Sequence, residues 1–172
     1  MSISPDWLLT GKGEMLREVN GDKPHGQAPE EVKVAPSKGI PLVGVNAVGG
    51  FGGAEFAIKE SDVKDYYVVP KFKDRRIDFM IEVAGSSMQP KYNSGDVVAC
   101  TILKESRFIQ WGKVHVIGTR EQGILIKRLY PCDSGGKDCI KCHSDNERYS
   151  PFEVTHEEIT GIALVVGVIR LE

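Results

Sequence analysis

The sequence predicts a mainly β domain of short antiparallel strands, and three observations carry that expectation. From Gly39 to Glu172 the chain is written as short apolar runs separated by glycine, proline and asparagine. One run, "IDFMIEVA", places Ile77, Phe79, Ile81 and Val83 on one face and Asp78 and Glu82 on the other, which is the alternation of a half-buried strand. No long helical period interrupts the series.

The elements follow in order. "IPLVGVNAV" is a first strand and "YYVVP" a second, and "IDFMIEVA" is the clearest of all. After a turn at "YNSGD" come "VVACTIL", then "KVHVIGT" and "GILIKRLY" joined across "REQG", and lastly "GIALVVGVIRL". No internal repeat is visible. Residues 16–38 are polar, contain Pro24, Pro29 and Pro36 and show no apolar period, so they read as a flexible linker. Residues 1–15 carry a short helix signal: Ser4 suits the cap, Pro5 the first helical position and Gly11 the stop. That helix is too short to be stable alone, and Trp7, Leu8 and Leu9 need a partner.

Composition limits the function. With 172 residues, 41% of them hydrophobic, the chain can bury one ordinary core. A formal net charge of -2 offers no basic excess for a phosphate backbone, so this chain is not expected to hold DNA by itself. No apolar run approaches the roughly 20 residues of a membrane helix, and the first residues lack the basic and apolar regions of an export signal. A cytoplasmic protein is expected. Four cysteines, Cys100, Cys132, Cys139 and Cys142, are too few and too clustered for a secreted disulfide framework, and reduced thiols are expected.

The stretch "VAGSSMQP" sets Ser86 and Ser87 where a strand ends, and Pro90 prevents that strand from continuing as a central ladder. A side chain at such a break can project into a cleft, and successive backbone N–H groups there, those of Ser86 and Ser87, can point at one oxyanion. The plainer alternative is a serine bonded to its own turn. A nucleophile also needs a base. In "GILIKRLY", alternation puts Leu125, Lys127 and Leu129 on one face. A lysine between two leucines is disfavoured as a cation, and a neutral amine could take a serine proton. The alternative is a lysine that reaches past its neighbours to water.

Other motifs fall short of a site. "VGGFGGAEF" and "TGKGE" lack the spacing and the following helix of a phosphate-binding loop. Cys132, Cys139, Cys142 and His143 in "CDSGGKDCIKCH" could supply four zinc ligands, although adjacent Cys142 and His143 would point to opposite faces of a strand. A heme attachment would need export, and ordinary thiols or a redox pair are the remaining readings. No cofactor is expected. His115, in "KVHVIG", is placed on a solvated strand face and His156 in an exposed acidic stretch, so a Ser–His arrangement is a minor alternative.

Taken together, "GSSMQP", "SGDVVA", "KRLY", "SDNERYSPFEV" and "GIALVVGVIR" resemble, in order and spacing, the peptidase domain of LexA and of lambda-type phage repressors. The resemblance covers residues 39–172 and implies the LexA and signal-peptidase-like complex of antiparallel sheets, with Ser87 as nucleophile and Lys127 as base. It implies that the substrate is the protein's own chain, cut at a bond that falls here at Val48–Gly49, where valine replaces the usual alanine. "SPDWLLTGKGEM" is similar to the end of a helix-turn-helix domain, so the chain is expected to be the C-terminal part of a longer transcriptional regulator whose DNA contacts lie in missing helices. A homodimer through residues 39–172 and a possible co-protease filament are the implied partners, with no membrane. A non-cleaving module for dimerisation and signal sensing is the alternative. A signal peptidase with the same dyad is disfavoured for want of an anchor.

Overall fold

A computed structural model describes residues 39–44, 58, 60–105, 108–133 and 138–172, with the backbone of 2–3 and 16–17. The chain divides into two compact units, Met1–Ala35 and Pro36–Glu172. In the first, β1 (Ser2–Ile3) pairs antiparallel with β2 (Leu16–Arg17), a strand pair that the sequence did not signal. The expected helix at residues 4–11, the bond Val48–Gly49 and the glycine run after it lie outside the described residues.

The second unit carries one sheet of nine strands: β3 (Ile40–Val43), β4 (Val63–Tyr67), β5 (Phe79–Glu82), β6 (Val97–Ile102), β7 (Val114–Thr119), β8 (Gly123–Pro131), β9 (Cys139–His143), β10 (Phe152–Thr155) and β11 (Ile159–Ile169). Their order across the sheet is β10-β9-β8-β7-β11-β6-β5-β3-β4. All neighbours are antiparallel except β3 and β5, which run parallel with Leu42 opposite Met80 and Val43 opposite Ile81. The mainly β fold expected from the apolar runs is therefore present. Two strands, β9 and β10, were not read from the sequence, and the "YYVVP" strand is displaced: β4 ends at Tyr67, leaving Val68 exposed.

Alternation explains the burial. Phe79, Ile81 and Val83 enter a core with Val98 and Cys100 of β6, Val114 and Val116 of β7 and Ala163 of β11. Residues of the opposite alternation, Ile117, Leu129, Ile140, Cys142 and Ile162, form a second cluster on the other face. With both faces covered, the central strands read as nearly continuous apolar runs. His115 is the exception among them. It is fully buried, not solvated as its alternation with two valines had suggested, because β7 is covered on both sides.

One ion pair ties the chain's last residues to the base of the turn after β5. Asp96 is 3% exposed and takes two hydrogen bonds from Arg170, at 2.8 and 2.6 Å, and a third from the Asn93 N–H at 2.8 Å. Arg170 also donates to the Lys91 carbonyl at 2.9 Å. The hydrogen bonds from Arg170, helped by Asn93 and opposed by burial, lower the Asp96 carboxyl from 3.8 to about 2. A carboxylate whose pKa falls on folding adds stability above its unfolded value and loses it as pH drops through the folded one. Asp96→Asn is accordingly expected to lower the melting temperature at neutral pH by several degrees. The gap to the parent should close between about pH 4 and pH 2, read by thermal melts across that range.

Candidate active site

The turn after β5 and the middle of β8 meet at two side chains. Nζ of Lys127 lies 2.7 Å from Oγ of Ser87. β5 and β8 are separated in the sheet by β6, β11 and β7, which in a flat sheet would set them about 19 Å apart. No lysine side chain spans that distance, so the sheet curls enough to bring β5 and β8 to one cleft. The core that packs Phe79 and Ile81 with Val114, Val116 and the half-buried Ile124 and Ile126 is the interior of that curl.

Ser87 is held by its turn. Gly85 sits at a φ of +81°, a conformation a side chain at that position would resist, and no described atom crowds it. The Gln89 N–H donates to the Ser86 carbonyl at 3.2 Å, and Met88 is buried as an anchor just after the serine. Residues beyond β9 complete the support. The Asn146 side chain donates to the Ser86 carbonyl at 2.9 Å, and the Asn146 N–H donates to the Ser87 carbonyl at 3.0 Å. The hydroxyls of Ser86 and Tyr149 are hydrogen-bonded at 2.9 Å. Next to them Arg128 clamps Asp145 through two hydrogen bonds of 2.8 and 2.7 Å and donates to the Gly112 carbonyl at 2.6 Å, which fixes β8 against the chain that follows β9.

Lys127 is 8% exposed. Burial pushes its pKa below the ordinary lysine range, and the negative charge of Cys142 in its thiolate form would oppose this only in part. Desolvation penalises the ammonium and leaves the neutral amine untouched, so the site favours the form that can accept a proton. A cleft of about 90 Å³ opens beside the pair, lined by Ile81, Val83, Ser87, Met88, Ile126 and Lys127 among others. Aliphatic side chains make up most of its lining, with Glu82, Ser87 and Lys127 as its polar members.

The structure brings Ser87 and Lys127 together and leaves other candidates apart. His115 pairs in register with Lys127, but its Nδ1 faces the Lys113 carbonyl at 3.0 Å and its Nε2 has no hydrogen-bond partner among the described residues. Burial lowers its pKa to about 4. His156 is half-buried in the turn between β10 and β11. Cys132, Cys139, Cys142 and His143 do not converge as a zinc cluster: Cys132 and Cys139 form a disulfide, contrary to the expectation of reduced thiols, while Cys142 is buried in the core of the other face. Strand alternation sends Cys142 inward and Cys139 and His143 outward. The supporting residues Asp145, Asn146 and Tyr149 lay within the "SDNERY" run, yet no local pattern assigned them a partner.

A mainly β sheet curled so that a serine after one strand meets a buried lysine of another defines a domain of LexA-like S24 architecture. Residues 41–166 match the Peptidase S24-like family, and the chain belongs to it. It is similar to the LexA repressor of Photobacterium profundum, at 30% identity over 138 residues, covering 78% of this chain and 65% of that protein. The LexA repressor of Shewanella amazonensis is 30% identical over 147 residues, 83% of this chain and 65% of the relative. That of Shewanella piezotolerans is 32% identical over 148 residues, 84% and 64% of the two chains. The chain thus spans somewhat less than two thirds of the length of these relatives. Among the described residues no helix is long and apolar enough to cross a membrane.

Asn146→Ala removes the side-chain hydrogen bond to the Ser86 carbonyl and is expected to cost about 1 kcal/mol of stability. Urea unfolding of the variant beside the parent measures it.

Proposed function

We propose that this domain is a serine peptidase that cuts its own chain at Val48–Gly49, with Ser87 as nucleophile and Lys127 as general base. The observation that carries the reading is the 2.7 Å approach of a buried amine to a serine hydroxyl beside an apolar cleft. Neutral Lys127 takes the proton from Ser87 Oγ as that oxygen attacks the Val48 carbonyl. The backbone N–H groups of Ser86 and Ser87 receive the oxyanion. Lys127 then passes its proton to the departing Gly49 nitrogen, which leaves an ester between Ser87 and Val48. Water, deprotonated by the same amine, hydrolyses the ester and restores the serine.

The course of the backbone supports delivery of that bond. Because β3 and β5 are parallel, the chain leaves β3 at Gly44 on the same side of the sheet where the chain leaving β5 turns to Ser87. Val48 is four residues past Gly44, a reach of about 14 Å. The far end of the excursion is tied back, since the Gly44 N–H donates to the Asp62 carbonyl at 3.3 Å.

By likeness to the LexA repressors, the domain at 39–172 belongs to a transcriptional repressor, with residues 1–15 as the end of a helix-turn-helix domain and 16–38 as a linker. Cleavage then separates DNA binding from dimerisation, inactivating the repressor. Dimerisation through residues 39–172, DNA contact through the preceding domain, activation by a co-protease filament, an SOS-type response and a cytoplasmic setting belong to the same proposal. One observation favours a second reading, a module that dimerises and senses without cutting: the residue before the scissile glycine is Val48, and a β-branched side chain fits poorly in a pocket shaped for alanine.

Intact mass followed over time near pH 7 and pH 10 decides between them. The parent is expected to lose its first 48 residues, faster at the higher pH because the reactive amine is the neutral one. The rise should level off below the ordinary lysine value of about 10.4, as the lowered pKa of Lys127 requires. Ser87→Ala and Lys127→Ala should remain whole, and Val48→Ala should be cut about tenfold faster or more. A parent as durable as Ser87→Ala at both pH values would leave the non-cleaving module.

A further inference from the structure

The hairpin between β8 and β9 holds a cluster that the self-cleavage reading does not use. Cys132 directly follows β8, Cys139 begins β9, and Glu153 lies on the neighbouring β10. One ligand atom from each of the three lies within 4.8 Å of the others, the one such group among the described residues. The register explains the meeting. Glu153 pairs with Lys141 and Thr155 with Cys139, and paired residues share a face, so Cys139 and Glu153 stand on the outer face while Ile140, Cys142 and Val154 fill the core.

We propose that, when the Cys132–Cys139 disulfide is reduced, the two thiolates and the Glu153 carboxylate bind a thiophilic divalent cation of the zinc class. Tetrahedral zinc with Zn–S bonds of about 2.3 Å sets two sulfurs about 3.8 Å apart. The Cα atoms of the cysteines are 5.9 Å apart, so rotation about the side-chain bonds is enough to open the sulfurs to that separation without moving either strand. A sulfur, sulfur, oxygen set with one open position matches zinc better than magnesium or calcium, which want oxygen alone. The Asp133 N–H donates to Glu153 Oε1 at 3.2 Å. This orients the carboxylate and leaves its second oxygen for the ion. Glu153 is exposed and Cys139 half-buried, which gives the cation a way in and water the fourth position.

The chemistry balances without a further electron acceptor. A phosphine takes the disulfide and one water to two thiols and the phosphine oxide, and each thiol then releases one proton to solvent as the cation binds. Affinity therefore rises with pH. The ion and the disulfide compete for the same sulfurs, so the oxidised chain holds no metal there.

The test uses the whole chain carrying Ser87→Ala, so that its outcome is separate from that of self-cleavage. Co²⁺ titrated into the phosphine-reduced protein should give a saturable near-ultraviolet thiolate-to-cobalt absorption at one ion per chain, and Zn²⁺ should displace it. Cys132→Ser and Cys139→Ser should each abolish stoichiometric binding, and Glu153→Gln should weaken it about tenfold or more. Glu153 is exposed, so that variant should keep the parent's metal-free melting temperature and thereby separate ligand loss from misfolding. No saturable absorption in the reduced chain overturns the proposal. So does binding that survives both serine variants, which would assign the ion to other thiols, or an affinity unchanged in Glu153→Gln.

Discussion

The candidate site depends on keeping one amine out of water. Lys127 is enclosed by its strand neighbours and by the turn that carries Ser87, with no carboxylate among its hydrogen-bond partners in the described residues. A carboxylate there would hold the lysine as a cation, and an ammonium cannot accept a proton. Burial without a counter-charge is the less stable choice for folding, because it penalises the charged form that lysine prefers in water. The apolar strands around it offset that loss, and the strongly paired ions, Asp96 with Arg170 and Arg128 with Asp145, stand at other positions where they brace the backbone and leave the amine alone.

A similar division of labour governs the placement of the serine. Its turn is short, opened by a glycine at positive φ, and the Ser86 carbonyl is taken by Asn146 from a segment 60 residues away in sequence. Long-range hydrogen bonds of this kind fix a loop more firmly than its own local pattern can. They also tie the site to the curl of the sheet, since Asn146 follows β9 and the serine follows β5.

The β class and most of the strands were legible because a strand buried on one or both faces leaves a direct trace in the apolar pattern. Ser87 and Lys127 were singled out for a different reason: local pattern alone favoured a serine bonded to its own turn and a lysine reaching water, and the resemblance to the LexA and phage-repressor domain paired the two. The parts that were not legible depend on pairing. The two strands β9 and β10 are short and carry charged residues on their outer face, so their period is weak. His115 looked solvated because a polar residue between two valines has the pattern of a strand with one wet face, and only the burial of every residue from Val114 to Gly118 shows that β7 is covered on both faces. The Cys132–Cys139 bond needed the hairpin register, which sequence spacing alone leaves open among several pairings.

The parallel pairing of β3 with β5 has a kinetic meaning. Under the proposed reading, a segment whose ends are joined by the Gly44 N–H to Asp62 carbonyl hydrogen bond meets the Ser87 turn at an effective concentration set by its tether, independent of how much protein is present. Recognition then needs little intrinsic affinity. Under the proposed reading the reaction is first order in the chain, each molecule turns over once, and dilution in the cell does not slow it.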